Sequence, residues 1–156
     1  MVTGRTFGVS TMTPWRASCE RIMNPIDAHG RLDALGLLND AHAEGTYALE
    51  VETPNNVESV QRTWLHAIGA PLPDEYAEQL ADAETCLYVG RSGDVYDRLI
   101  DHARGDVRRA SFIRAFGVTD IHGVYPEDEN NGVAERNRAR ALSDADTVVW
   151  TDGELF

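Results

Sequence analysis

The sequence predicts an α/β chain of the α+β kind, with a small mixed or antiparallel sheet of about three to four strands flanked by helices. Three observations lead there. Short apolar runs with two-residue alternation, such as Gly45 to Val51, are interleaved with stretches whose apolar residues recur at three- and four-residue steps. Turn signals separate them, Pro54-Asn55-Asn56 and Gly69-Ala70-Pro71-Leu72-Pro73 among them. At 156 residues and 42% hydrophobic content, the chain is long enough for one core and too apolar for disorder.

The elements follow in order. Residues 1–30 are expected to form a loosely ordered N-terminal extension: Pro14 interrupts them, and no helical or strand period is clear. From Asp33 to Ala43, Leu35, Leu38 and Ala41 recur at three-residue steps and predict a helix. Gly45 to Val51 predicts a strand. Val57 to Ile68 predicts an amphipathic helix with Val57, Val60, Trp64, Leu65 and Ile68 on one face. A second, shorter helix is expected from Asp74 to Ala83. Cys86 to Gly90 is a short apolar strand. Ser92 can cap a helix from Gly93 to about Ala103, whose stripe is Val95, Tyr96, Leu99, Ile100 and Ala103, and Gly105 stops it. Val107 to Phe116 predicts another helix, Asp120 to Tyr125 a strand, and Asn131 the cap of a helix reaching about Leu142. Thr147 to Trp150 is the last strand. Residues 31–156 then form one domain, with residues 54–84 as a helical insertion between its first two strands.

Charge narrows the setting. The net charge is −12, and all fourteen basic residues are Arg. Dense carboxylates without Lys resemble proteins adapted to high salt, where charge is screened over about 3 Å. A GC-rich genome also favours Arg over Lys, but does not supply 26 acidic residues. No apolar run approaches the roughly 18–20 residues that cross a bilayer, and no basic patch precedes an apolar stretch at the N-terminus. A soluble, cytoplasmic protein is expected. Cys19 and Cys86 make no metal-binding pattern. Cys86 is expected as a small buried hydrophobe.

Such acidity ordinarily argues against nucleic-acid binding, yet nine of the fourteen Arg fall between Arg91 and Arg140, beside nine acidic residues. That segment is neutral within an acidic chain. Arg91, Arg108, Arg109 and Arg114 are its candidate phosphate contacts, although a solvated, salt-bridged face would use the same residues.

The segment from Tyr88 to His102 carries the most chemistry. Arg98 and His102 are four residues apart and share a helical face, expected to lie roughly opposite the stripe through Leu99 and Ala103. A close turn from Gly90 to Gly93 directs Tyr88 toward that face. A phenol, a guanidinium and an imidazole together suit an anionic oxygen substrate, because Arg can grip a phosphate with two parallel hydrogen bonds. Taken singly each has an ordinary role: Arg98 in solvent, His102 against the helix dipole, Tyr88 half-buried on a strand.

In this ordered set the chain resembles the GIY-YIG nuclease superfamily. Gly45-Thr46-Tyr47 stands for the first triplet and Tyr88-Val89-Gly90 for the second. Arg98 lies ten residues after Tyr88, His102 follows one turn later, and Glu135 matches the metal-ligand helix. The resemblance spans Gly45 to Trp150. It departs from the family pattern in the insertion at 54–84 and in the lack of an Asn between Thr147 and Asp152. The resemblance implies a metal-dependent endonuclease that hydrolyses DNA phosphodiester bonds. Tyr47 would position or deprotonate the attacking water, Arg98 would neutralise a phosphate oxygen, and Tyr88 would orient water or phosphate. His102 would support the phosphate or carry a proton, and Glu135 would hold Mg²⁺ or Mn²⁺. The two departures and the acidity keep a second expectation open: a catalytically weak or inactive nucleic-acid-binding or regulatory module on the same fold. A homodimer through Trp64, Leu65 and Ile68 of the insertion is a further expectation, against their use as core.

Overall fold

Two apolar runs pair to make the centre of the molecule. In the computed structural model, which describes residues 24–105 and 110–156, β1 (Gly45–Val51) and β2 (Thr85–Ser92) are antiparallel along the whole of β1. The other edge of β1 takes β3 (Asp120–Tyr125), also antiparallel. The other edge of β2 takes β4 (Thr147–Thr151) in parallel, and a short β5 (Glu154–Leu155) closes the sheet. The strand order is β3-β1-β2-β4-β5, a mixed five-stranded sheet with helices beside it. The expectations for residues 1–23, and for Arg108 and Arg109, lie outside the described residues.

The two central strands are buried on both faces, as their nearly unbroken apolar runs require. Tyr47, Leu49, Val51, Cys86 and Tyr88 join the larger core. Ala48, Leu87 and Val89 meet Val149 and, from α7 (Gly132–Leu142), Ala139 on the opposite side.

The helical insertion between β1 and β2 is present. Asn56 accepts a hydrogen bond from the Ser59 amide (2.8 Å) and starts α3 (Val57–Ile68), and Gly69 ends it in the left-handed conformation. Then α4 (Asp74–Asp82) returns the chain to β2. The buried face of α3 is narrower than its apolar stripe: Val60 and Trp64 are core, whereas Val57 and Leu65 are exposed. Trp64 packs on Phe116 of α6 (Ser111–Phe116) and on Trp150.

Other elements correct the sequence reading. Residues 25–30 are helical rather than loosely ordered. Asn24 caps α1 (Pro25–Ala34), Pro25 opens its first turn, and Leu32 is fully buried. The helix expected from Asp33 to Ala43 is broken. Gly36, at φ +73, takes a conformation most side chains avoid, and only the single turn α2 (Leu38–Ala41) follows. The next helix, α5 (Val95–Arg104), is capped by Asp94 rather than Ser92, because β2 extends through Ser92 and the helix starts later. Ala110, at φ −58 and ψ 149, precedes α6, which begins at Ser111; the rest of the expected helix start, residues 107–109, lies outside the described residues. Asn131 caps α7 as expected, accepting from the Ala134 amide at 2.9 Å. Cys86 is buried beside Thr53. No helix among the described residues is long and apolar enough to cross a membrane.

Gly90 is the tightest point of the sheet. A methyl group there would run into the Tyr47 phenol and touch the Tyr88 ring. Gly90→Ala is expected to cost about 1–3 kcal/mol of stability through overpacking, read by urea denaturation. A loss below about 0.5 kcal/mol, the scale of a neutral surface change, would contradict the close approach.

Candidate active site

Strand register assembles the first part of the site. Tyr47 pairs with Gly90 and Leu49 with Tyr88, so the two tyrosines stand two rungs apart on one face. Because Gly90 has no side chain, the Tyr47 ring can lie across it, 6.3 Å between ring centres from Tyr88. Helix α5 packs on the same face and places His102 Nε2 2.9 Å from Tyr47 Oη. Arg98 and Tyr88 lie close enough to act on that hydroxyl's ionisation. A hydroxyl donates once and accepts twice. The proton of the Tyr47–His102 contact sits on Oη or on Nε2 according to the imidazole's tautomer.

His102 is buried, not a solvent-facing residue at the helix end. The face shared by Arg98 and His102 does not oppose the apolar stripe but adjoins it. His102 follows Leu99 by three residues, which places both on the buried side with Val95 and Ala103. Arg98, half-buried, reaches the cavity from the rim of that face.

Glu135 comes to the same place from the other side of the sheet. It lies in the first turn of α7, next to the C-terminal ends of β2 and β4. Only 8% of it is exposed. Its nearest cation is Arg91 just beyond Gly90, with Nε 3.7 Å from Oε1, rather than the Arg136 or Arg138 of its own helix. Tyr47, Tyr88, Arg91, Arg98 and Glu135 line one open cavity of about 490 Å³. Its remaining walls are Trp64, Trp150, Ala110, Ser111, Asp152 and Gly153.

Burial sets the electrostatics. It pushes the Tyr47 phenol well above the usual tyrosine range; Tyr88 adds to this and Arg98 opposes it. It pushes Tyr88 up to about 12, with Glu135 adding and Arg98 opposing. Both phenols are therefore neutral at pH 7. Burial also raises the Glu135 carboxyl above its usual range. Asp152 adds to that, while Arg91 and the Thr151 hydroxyl hold it down.

Of the other candidate phosphate contacts, Arg91 lines the cavity, whereas Arg114 is exposed on α6 and is not among the lining residues. Arg138 is tied to Asp128 and Glu127 and lies over the Tyr125 ring. Arg136 reaches Asp152 at 3.3 Å.

The lining residues outside the site read from the sequence include Asp152, Trp64 and Trp150. Asp152 sits at φ 50 in the two-residue turn joining β4 to β5, where Asp-Gly is a known hairpin signal. That signal could have placed the turn, though not its position beside Glu135. Trp64 and Trp150 carry no local signal for this role: on sequence both belong to core elements.

Glu135 and Asp152 are the two carboxylates of the cavity. Among the described residues, no group of three or more His, Cys, Asp or Glu gathers around a possible metal position. Such a donor set fits a hard, oxygen-preferring ion that keeps most of its waters, the habit of Mg²⁺. No protein-family profile, curated protein or solved structure matches the chain.

The raised Glu135 carboxyl has a measurable consequence. The folded protein holds this proton more tightly than the unfolded chain, so ionising Glu135 costs stability above the raised pKa. The cost vanishes as pH falls below the ordinary value of 4.5. Without added metal, Glu135→Gln is expected to melt above the wild type at pH 7, with the gap closing near pH 4. A variant that melts below wild type at pH 7 would show that pairing with Arg91 outweighs burial.

Proposed function

We propose that the protein is a divalent-metal-dependent nuclease that hydrolyses phosphodiester bonds in DNA. The observation that carries this reading is the convergence of Tyr47, Tyr88, Arg98 and Glu135, from β1, β2, α5 and α7, on one cavity. Four elements present the functional groups that the GIY-YIG resemblance requires. Mg²⁺ or Mn²⁺ held by Glu135, with Asp152 beside it, would supply positive charge to the phosphate and the leaving oxygen.

The chain's own groups account for the rest. Arg98 binds a non-bridging phosphate oxygen and neutralises charge as the attacking oxygen approaches. Neutral Tyr47 is a poor base by itself, and its contact with His102 supplies what it lacks. As the water oxygen bonds to phosphorus, the water proton passes to Tyr47 Oη and the phenol proton passes to His102 Nε2. The P–O ester bond breaks, and the leaving oxygen takes a proton from solvent. The Tyr88 ring packs beside Tyr47 and helps hold it in line. This assigns His102 the role of proton carrier and spares Tyr47 from ionising in a buried site.

A second reading, a non-catalytic nucleic-acid-binding or regulatory module, is favoured by one contact: Arg91 lies against the carboxylate that would take the metal. A nicking assay with Mg²⁺ or Mn²⁺ in molar salt separates the two. The nuclease reading expects cleavage that Arg98→Ala and Glu135→Gln each reduce by about 10²–10³-fold, the scale for removing one transition-state charge contact. Cleavage that survives both substitutions, or none with either metal, would remove it.

A further inference from the structure

We propose that the cavity accepts a single unpaired nucleotide, its phosphate at Arg98 and Arg91 and its base and sugar against Trp64 and Trp150. The substrate is then a single strand or a single-stranded flap rather than continuous duplex. This rests on the nuclease reading and adds the substrate class.

The shape of the site is the first ground. The phenols do not lie on an open sheet surface. Trp64 of the insertion, Ala110 and Ser111 line with them one cavity of about 490 Å³, a volume in the range of small-molecule pockets. A duplex offers its phosphates on a convex rod and has no use for such a recess. A nucleotide turned out of the stack, or never paired, fills one.

The chemistry of the wall is the second. Trp64 and Trp150 stand with ring centres 5.5 Å apart and planes tilted by 52°. Phe116 stacks on Trp64, and Phe112 stacks on Trp150 at 12°. The indoles are thus fixed before any ligand arrives; each is only 7% exposed, and both are lining residues of the cavity that holds Arg98. A phosphate alone needs no aromatic wall. Bases do, and sites for single strands pair aromatic side chains with cations in this way.

Charge is the third. The cavity's two guanidiniums are balanced by two carboxylates, and the whole chain carries −12. Beyond the cavity, Arg136 and Arg138 are committed to Asp152 and Asp128. Duplex binding depends on a row of phosphate contacts. Recognition confined to one nucleotide needs only the pocket.

The test uses tryptophan fluorescence of the full chain with Trp15→Phe, so that Trp64 and Trp150 alone emit. Thymidine 5′-monophosphate, thymidine and inorganic phosphate are titrated separately with Mg²⁺ in molar salt. The mononucleotide is expected to quench saturably and to bind on the order of tenfold more tightly than phosphate, the scale of one base–aromatic stack. Trp64→Leu should erase that advantage and Trp64→Phe should keep most of it. Should Trp64→Leu fail to fold, the ligand comparison in the parent protein still decides. In cleavage, a single-stranded oligonucleotide should compete better than blunt duplex of the same sequence. Equal binding of phosphate and mononucleotide, or equal competition by duplex, overturns the proposal. Preferential mononucleotide binding without cleavage of any substrate would instead overturn the nuclease reading and leave the pocket's occupant standing.

Discussion

Tyr47 opposite Gly90 is the contact on which the site depends. The β1–β2 register sets it, and the missing side chain at Gly90 lets the phenol lie across the strand beside Tyr88. A slip of one residue would send Tyr47 to the other face, among Ala48, Leu87 and Val89. It would then be cut off from Arg98 and His102. The insertion does not disturb this register. It leaves the sheet after Val51 and rejoins it at Thr85, so a long excursion costs the pairing of Val51 with Cys86 nothing.

Burial gives the site its chemical character. Exposed phenols and carboxylates would titrate near their ordinary values. Here low polarity raises the two phenols and Glu135 together, and Arg98 and Arg91 only partly offset it. A protein of strongly negative overall charge thereby keeps a locally balanced recess. In molar salt the distant carboxylates are screened, and the ligand meets chiefly the groups it touches.

Much of this was legible in the sequence because it is local. Two-residue alternation located β1, and the 3.6-residue period located α3 and α5. Asn56, Gly69 and Asn131 marked helix ends through side-chain capping and left-handed backbone. The spacing from Tyr88 to Arg98 and His102 joined strand to helix in one recognisable set. The rest depended on packing. Gly36 divided a run whose apolar spacing continued through it. Asn24 and Pro25 could have announced α1, but an unclear period hid them. The burial of His102 follows from α5 lying on the sheet face that also carries Tyr47. The presence of Asp152, Trp64 and Trp150 around Glu135 is a meeting of residues distant in sequence, which neither period nor capping encodes.

The proposed binding of the metal by Glu135 beside the phenols can be tested directly. The protein would be crystallised with Mn²⁺ and a phosphorothioate single strand, and the anomalous signal of the ion located. The expected result is a peak bonded to a Glu135 oxygen at roughly 2.1–2.2 Å, close to the Mg²⁺ distance, with Arg91 turned away and a phosphate oxygen on Arg98. An ion bound elsewhere, with Glu135 still against Arg91, would contradict the assignment.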